Sequence, residues 1–479
     1  MKEEKYDVIF VSNYSDSLNR TLQKVAHNMD ASTKYKILTY RKTDIDNATS
    51  YEEFIADDFD KIIKYSSIEL QNRFKDVNFM RAIVSERNIS NYYYGIEKTL
   101  GNKIFSYQEV DFLIKSYTLF LERYIKNSKI IFGGYADNFI STLVYLLSKH
   151  YNKKCLSFHP HWIIDNQTCY INEGIGCSPV KEYITNANFT ADDKNNSHIK
   201  SYDNKKHFDE YIKKNKNVRR GLFGVISPNI FDIDRIKFML YKHTYRDKRI
   251  DKFLNIDKPY ILKKTLANIY RAYNKFVLLF FKKTIELDKM NFNEKIIYFP
   301  LQIQPEASTS SRAPYFINQL EIIFNISKSL PLGHVLIVKE HPMGYGMRDI
   351  SFYRKINSLS NVFLIKSEFS GKKLIKESEL IIGFGGTTLF EAVSFEKKYL
   401  LLTEDYIYTD SLFIRSLNNI STMSDEIKYF LDFEISDKEK KVEAENMVKF
   451  FYERGFPLYE DIEKDIAVGL KRILNMEMV

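Results

Sequence analysis

The sequence predicts an α/β protein built from two doubly wound Rossmann-type domains. Apolar segments of strand length alternate with amphipathic segments of helix length in both halves of the chain, a pattern typical of parallel strands joined by crossover helices. At 479 residues, the chain is also too long for one ordinary hydrophobic core. Its 44% hydrophobic and 28% charged residues are the composition of a folded globular protein.

The first domain is predicted to cover residues 1–185. The amphipathic segments from Ser17 to Met29 and up to Leu147 supply its crossover helices. Its predicted strands are the segments YDVIFVSN, YKILTY, KIIFGG and KKCLSFH. Because doubly wound sheets bind ligands at the carboxyl ends of their strands, we expect functional residues in the loops that follow these segments.

Residues 186–290 are predicted to form a helical and strongly basic insertion. Between residues 213 and 286 there are 19 Lys or Arg against 6 Asp or Glu, although the whole chain carries a net charge of only +9. A solvated helical face explains such a run, and so does attraction to an anionic membrane. Phe238 to Tyr241 would suit a helix at that interface. Nucleic acid is not expected as a partner, since no recognised binding module accompanies the charge.

The second domain is predicted to cover residues 291–435, with C-terminal helices over residues 436–479. Its predicted helices lie around residues 316–328 and begin near Asp349, Lys372 and Thr388. The strand-like segments between them are KIIYFPLQ, HVLIVKEH, NVFLIK, LIIGFGG and KYLLLTED. The alternation again predicts a parallel sheet with helices on its faces.

Several features predict a protein of the reducing cytoplasm. The three cysteines, Cys155, Cys169 and Cys177, are an odd number at no familiar spacing, which argues against a disulfide framework and a zinc site. The N-terminal segment lacks the basic start and long apolar core of a secretory signal. The apolar run from Phe276 to Phe281 is far shorter than the roughly 20 residues that cross a bilayer, so any membrane contact is expected to be peripheral.

The segment GFGGTTLFEA is the first candidate for a binding site. It follows an apolar strand and precedes an amphipathic helix, so its glycines lie at a strand-to-helix turn. Glycine allows close backbone approach to a ligand, and a helix start offers free N–H groups to a phosphate. A purely structural glycine turn would look the same. The ligand-binding candidates are Gly385, Gly386, Thr387, Thr388 and Glu391.

The segment VLIVKEHP is the second candidate, because it carries polar residues just past a buried strand of the same domain. Lys339, Glu340 and His341 would then face the same edge of the sheet as the glycine turn, and Pro342 would end the strand. A histidine here can donate a hydrogen bond to a phosphate oxygen or protonate it as a leaving group departs.

The third candidate is the long polar segment that follows KIIYFP. Its residues Gln302, Gln304 and Glu306, with the hydroxyls from Ser308 to Ser311, predict either a ligand-contacting lid or an ordinary exposed loop. Arg312 is expected to pair with an anion.

Three segments of the second half together resemble the capsule polysaccharide biosynthesis family, whose members include bacterial Kdo transferases of the GT-B fold. The resemblance covers Lys295 to Asp405 well and the first half loosely. The segments are PLQIQPEAST, VKEHP with the following GYGMRD, and GGTTLFEA with the following KKYLLL.

The resemblance implies a metal-independent enzyme with no bound cofactor. It places a nucleotide-sugar donor on the second domain, with a CMP-sugar favoured, and the acceptor on the first domain across a cleft. His341 and Pro342 match the motif that contacts the donor phosphate in the family, and Thr387 and Thr388 match an assisting Ser/Thr pair. The segment INEG departs from the family's acidic pair, because Asn172 replaces the first acid.

A glycosyl transfer needs a base for the acceptor's proton, and Glu173 and Asp137 are the two candidates. The leading interpretation is a cytoplasmic, membrane-associated glycosyltransferase that builds a capsular or other surface polysaccharide on a glycan or lipid-linked acceptor. Three alternatives stay open at this point: a CDP-polyol phosphotransferase, a nucleotide-sugar epimerase, and a non-catalytic assembly factor with the same fold.

Overall fold

The structure is a computed structural model of the chain. Asp137, Phe238 to Tyr241 and most of the predicted insertion lie outside the residues that it describes. The described residues are 4–12, 16–85, 106–133, 138–160, 168–174, 178–179, 260–278, 284–285, 294–304, 306–342, 344–365, 369–403, 406–454, 456–457 and 462–476.

The first domain is built on a mixed sheet. The strands of its first part are β1 (Tyr6–Val11), β2 (Tyr35–Thr39), β3 (Ala48–Ser50), β4 (Ser128–Gly133), β5 (Lys154–Pro160), β6 (Thr168–Glu173) and β7 (Ser178–Pro179). The strands β3-β2-β1-β4-β5 are parallel and lie side by side in that order. The strands β6 and β7 continue the sheet in antiparallel pairing. The parallel order is the doubly wound Rossmann order, with its switch point between β1 and β4.

Helices cover the first sheet on both faces, and several begin at a residue that suits a helix start. Ser50, Ser66, Ser106 and Asn138 each accept the N–H of the residue three positions later, which satisfies a donor the helix leaves open. The helices are α1 (Asp16–His27), α2 (Tyr51–Lys64), α3 (Ser67–Arg73), α4 (Phe79–Ser85), α5 (Tyr107–Ile125) and α6 (Phe139–His150).

The second domain is built on a sheet whose described strands are all parallel. The strands are β8 (Thr284–Ile285), β9 (Lys295–Pro300), β10 (His334–Lys339), β11 (Val362–Ile365), β12 (Leu380–Gly383), β13 (Lys398–Leu401) and β14 (Ile414–Ser416). They lie in the order β14-β13-β12-β9-β10-β11-β8. From β9 onward this is the doubly wound Rossmann order, and the switch point lies between β9 and β12.

The helices of the second domain bury both faces of its sheet. The strands are therefore near-continuous apolar runs, as in Leu336 to Val338, where every side chain is at most 1% exposed. The helices are α7 (Tyr260–Leu278), α8 (Ala307–Ser310), α9 (Gln319–Ser329), α10 (Ile350–Asn357), α11 (Gly371–Glu377), α12 (Thr387–Ser394) and α13 (Met423–Asp432), with short 3₁₀ turns at Pro314–Phe316 and Ile420–Thr422.

The chain returns to the first domain after the second is complete. Helix α14 (Asp437–Arg454) still packs on the second domain through Met447. Strand β15 (Phe456–Pro457) then pairs antiparallel with β6, and α15 (Ile462–Met476) covers the first sheet with Ile466, Leu470 and Ile473. The described elements of residues 436–479, a segment predicted as C-terminal helices, thus contact both domains.

The prediction of two doubly wound α/β domains is confirmed. Within the described residues, the predicted insertion contributes α7 and β8, and both belong to the second domain. No helix in the described part of the chain combines the length and the apolar character that crossing a membrane requires.

Candidate functional site

The candidate site lies at the carboxyl edge of the second sheet, around its switch point. The loops after β9, β10 and β12 begin there, and β9 lies between the other two strands. With strands about 4.8 Å apart, residues that follow β10 and β12 begin about 10 Å from each other. The three segments predicted from the sequence therefore meet at one edge, as expected for parallel strands.

The glycine turn after β12 has the backbone conformation that only glycine adopts without strain. Gly385 and Gly386 have φ angles of +87° and +74°. The N–H of Gly385 donates to the hydroxyl of Tyr399 at 3.0 Å, and the N–H of Gly386 donates to the hydroxyl of Tyr406. These two amides, predicted to bind a phosphate, are thus bonded to tyrosines that the sequence analysis did not identify.

The start of α12 remains suited to an anion. An α-helix leaves the N–H groups of its first turn without intrahelical acceptors, and no side chain caps this one. Thr387 is exposed and Thr388 half-buried at this end, so their amides and hydroxyls can be reached by a ligand. The geometry favours the two threonines over the glycine amides as phosphate donors.

His341 follows β10 on the other side of β9. The backbone N–H of His341 donates to the Glu340 carboxylate at 2.8 Å. The backbone carbonyl of His341 accepts the N–H of Gly344 at 2.8 Å, and the two bonds form a tight turn. Burial lowers the pKa of the imidazole below its ordinary 6.5; Lys339 and Arg348 lower it further, and Glu340 opposes them. The ring is therefore mainly neutral at pH 7 and can donate one hydrogen bond.

Glu340 is the centre of a buried network and not a surface residue. Its carboxylate, 1% exposed, accepts from Arg348 Nε at 2.8 Å and from the Tyr353 hydroxyl at 2.8 Å. Arg348 also donates to Gln304 Oε1 at 3.3 Å and to the Gln302 carbonyl. The network ties the loop after β10 to the loop after β9, so Glu340 acts here by holding the site together.

The two predicted glutamines of the loop after β9 belong to the same framework. The Gln304 amide donates to the Ile317 carbonyl at 2.6 Å. The backbone of Gln302 exchanges two hydrogen bonds with the Gln319 side chain, at 2.8 and 3.0 Å. Gln302 is half-buried, and of the two glutamines it has the side chain more open to a ligand.

The hydroxyl run from Ser308 to Ser311 forms neither a lid nor an exposed loop. It lies in and next to α8, and its members are at most 8% exposed. Thr309 and Ser310 donate to the carbonyl of Glu306, whose own side chain is exposed. Arg81 on α4 donates to the Ser311 carbonyl at 3.4 Å, so this segment contacts the first domain.

Arg312 lies beside the glycine turn. The side chain is 8% exposed, and its guanidinium carbon is 5.3 Å from the centroid of the Tyr406 ring, whose hydroxyl contacts Gly386. The Arg312 carbonyl accepts the Thr403 hydroxyl at 2.8 Å, which fixes the backbone there. A cation is thereby placed near the start of α12, as the predicted pairing with an anion requires.

Glu391 lies one turn into α12 and is half-buried. Lys372 Nζ on α11 is 3.9 Å from its carboxylate. Burial raises the pKa of Glu391, and the nearby Lys372 partly offsets this. The predicted role in binding ribose hydroxyls stays a prediction, since a half-buried carboxylate can accept such hydrogen bonds.

Of the two candidates for the catalytic base, the structure describes only Glu173. Glu173 ends β6 in the first domain and is exposed. Asp137 lies outside the described residues.

Pro342 is exposed directly after His341, and Lys339 is buried at the end of β10. Grouped His, Cys, Asp or Glu side chains that would suit a metal ion are absent from the described part of the chain.

Helix α7 braces the loop that carries His341, a contact that the sequence analysis missed. Asn274, fully buried, donates to the carbonyls of Gly346 at 3.2 Å and Arg348 at 2.7 Å. Arg271 Nε donates to the Tyr345 carbonyl at 3.3 Å. Since these acceptors are backbone atoms, no pattern of residue types in the loop could have revealed them.

No protein-family model and no curated protein matches this sequence. Similar solved structures include KpsC of Thermosulfurimonas dismutans, a β-Kdo 2,7 transferase, at 9% identity over 98% of this chain and 100% of that chain, with a TM-score of 0.34. A UDP-GlcNAc 2-epimerase from Neisseria meningitidis, bound to UDP-GlcNAc, is 10% identical over 92% and 100%, with a TM-score of 0.25. The wall teichoic acid polymerase TagF is 14% identical over 45% and 50%, with a TM-score of 0.23. At TM-scores this low, the architecture of this chain rests on its own strand order.

Proposed function

We propose that this protein is a GT-B glycosyltransferase that moves a sugar from a nucleotide-activated donor to a growing surface polysaccharide or its lipid-linked acceptor. A CMP-sugar is the favoured donor, and no metal is required. The observation that carries the proposal is the pairing of a neutral, half-buried His341 with the uncapped start of α12 on either side of β9. Both offer hydrogen-bond donors to one phosphate group.

In the proposed mechanism, the donor phosphate lies between His341 and Thr387. The imidazole N–H donates to a phosphate oxygen, and the α12 amides and Arg312 stabilise the charge that develops as the sugar leaves. Glu391 receives the ribose hydroxyls. Glu173 or Asp137, across the cleft, takes the proton of the acceptor hydroxyl, which then bonds to the sugar.

The first test is thermal unfolding of the purified protein with CMP, CDP, UMP, UDP, GDP and their sugar conjugates. A ligand that binds only the folded state raises the melting temperature. We expect a cytidine nucleotide to raise it, and His341→Ala to abolish the rise. The matched control is His334→Ala, because His334 lies at the opposite end of the same strand and contacts Glu379 instead.

Three results would count against the proposal. Stabilisation by no nucleotide would favour a non-catalytic assembly factor. Conversion of a bound nucleotide sugar without any acceptor would favour an epimerase. Phosphorus that enters the polymer together with the transferred unit would favour a CDP-polyol phosphotransferase.

A further inference from the structure

The start of helix α11 lies beside the candidate site, although no residue of this helix was predicted to belong to it. Helix α11 packs against α12, and the two helices share an apolar cluster on one face of the second sheet. A Cβ added to Gly371, the first residue of α11, would lie 3.8 Å from the hydroxyl of Tyr298 on β9. The first turn of α11 therefore lies over the strand that separates the His341 loop from α12.

Lys372 and Glu391 form an ion pair between these two helices. Lys372 Nζ is 3.9 Å from Glu391 Oε1, and the two side chains are 22% and 16% exposed. Glu391 also lies near the sheet: burial raises the pKa of the Tyr298 hydroxyl, and the charge of Glu391 raises it further. The carboxylate of Glu391 thus has neighbours on α11 and on β9, and part of it is still accessible to a ligand.

The position of Glu391 along α12 matches the size of a nucleotide. Glu391 comes four residues after Thr387, so the two side chains lie on the same face of the helix. Four residues of α-helix span about 6 Å. This is the scale of the separation between the phosphate of a nucleotide and its ribose hydroxyls. A phosphate at the start of α12 therefore allows the ribose to reach Glu391.

Lys372 favours the form of Glu391 that such a ribose needs. A charged carboxylate accepts stronger hydrogen bonds from hydroxyl groups than a neutral one does. Burial raises the pKa of the Glu391 carboxyl and so disfavours its charged form, and the nearby Lys372 opposes this. The next residue differs: Lys373 pairs with Glu377 on its own helix at 4.0 Å, where both side chains are more exposed. Lys372 is thus the lysine whose ion pair reaches the candidate site.

We propose that Lys372 is a positioning residue that holds the Glu391 carboxylate for the ribose hydroxyls of the donor, so that the pair selects a nucleotide with an intact ribose. The ammonium group of Lys372 keeps the carboxylate charged and oriented, and the carboxylate accepts hydrogen bonds from the hydroxyls. This deepens the proposed function and rests on it, because it requires a nucleotide phosphate at the start of α12.

The test compares CMP with dideoxy-CMP, which lacks both ribose hydroxyls, by calorimetric titration of the full chain. We expect the unchanged chain to bind CMP at least about tenfold more tightly, because the analogue leaves a charged acceptor without its hydrogen bonds. Lys372→Met should lower this ratio to less than about threefold and change the affinity for dideoxy-CMP by less than about twofold. Glu391→Gln should also lower the ratio, whereas Lys372→Arg, which keeps the charge, should preserve it.

The matched control is Lys373→Met, which removes the adjacent lysine from the same helix and should keep the full ratio. Melting temperatures without nucleotide identify any variant that misfolds, and Glu391→Gln tests the same ratio if Lys372→Met does not fold.

Two kinds of result would overturn the proposal while CMP still binds and the proposed function stands. One is equal affinity of the unchanged chain for the two nucleotides, or a ratio that Lys372→Met leaves unchanged. The other is equal weakening of both nucleotides by Lys372→Met, which would mean that the lysine acts on the phosphate. Failure of the unchanged chain to bind CMP at all would overturn the proposed function and this inference together.

Discussion

The ion pair of Glu340 and Arg348 shows how a single buried charge determines the shape of the site. Both side chains are nearly inaccessible, at 1% and 4% exposed. Glu340 also receives the Tyr353 hydroxyl, and Arg348 reaches two groups of the loop after β9. Removal of one partner leaves the other charged, buried and unpaired, which is costly.

We therefore expect Arg348→Met to lower the free energy of unfolding by about 3–5 kcal/mol. Urea denaturation measures this. The control is Lys61→Met, which breaks the pair with Asp58, where the lysine side chain is 82% exposed. It should cost less than about 1 kcal/mol. Similar small losses in both variants would show that the buried network contributes little.

His341 gives the stability a dependence on pH with a defined sign. Burial lowers its pKa in the folded chain below the ordinary value of 6.5. As the pH is lowered, the unfolded chain therefore binds the proton of this histidine before the folded chain does. The free energy of unfolding then decreases as the pH is lowered below 6.5, and this histidine does not affect it above that pH.

His341→Gln removes this dependence. Relative to the variant, the unchanged protein should lose free energy of unfolding between about pH 7.5 and about pH 5.5, measured by urea denaturation at both values. Other histidines titrate equally in the two proteins and cancel. A difference that stays constant with pH would mean that the pKa of His341 is not lowered.

The neighbours Glu340 and His341 mark the limit of prediction at the scale of residues. The sequence placed both correctly at the end of a strand in the second domain. It could not separate their roles, because the partner of Glu340 is a side chain eight residues later, in a turn whose path the residue types do not specify. Long-range partners, more than local pattern, decide which polar residue is buried.

Among the elements, the glycine turn is the most constrained. Gly385 has a positive φ, and a Cβ at this position would lie 2.5 Å from the Tyr406 ring. Gly386 also has a positive φ, but a Cβ there would meet nothing within 4 Å. A substitution at either position would strain the backbone, and the two positions differ in the space around an added side chain.

Gly386→Ala should therefore cost about 1–3 kcal/mol through backbone strain alone. Gly385→Ala should cost clearly more, because the Tyr406 ring must also move and its bond to Gly386 is then lost. Thermal or urea unfolding of the two variants checks this order. Equal losses would indicate that Tyr406 adjusts without cost.

Element boundaries followed the sequence closely where local chemistry sets them. Asp349 was the predicted start of a helix and is the residue that caps α10. The helix predicted from Thr388 begins at Thr387. The segment after β9 was harder, because Ser and Thr usually lie on the surface. Here α8 is buried by contact with the first domain, which no local pattern contains.

At the scale of the whole molecule, the first domain depends on the end of the described chain. Leu470 and Ile466 on α15 are both fully buried and pack with Val8, Phe10 and Ile130 of the first sheet. The sequence predicted the C-terminal helices but not their position. An amphipathic pattern shows that a helix has an apolar face, not which domain that face covers.

Leu470→Ala should lower the free energy of unfolding of the first domain by about 2–5 kcal/mol. Hydrogen exchange should then become faster in peptides from β1 and β4, and remain unchanged in peptides from β9 and β10. The control is Val468→Ala on the same helix, where the side chain is 43% exposed. Equal acceleration in both domains would contradict the assignment of α15 to the first.

The return of α15 to the first sheet also determines the order in which the chain can fold during synthesis. Strands β1 to β5 leave the ribosome early, but residues 462–476, which cover one face of their sheet, are made after the whole second sheet. At about 5–20 residues per second, that apolar face waits on the order of half a minute. The described strands of the second sheet are all made by residue 416, so that sheet can form before the first is covered.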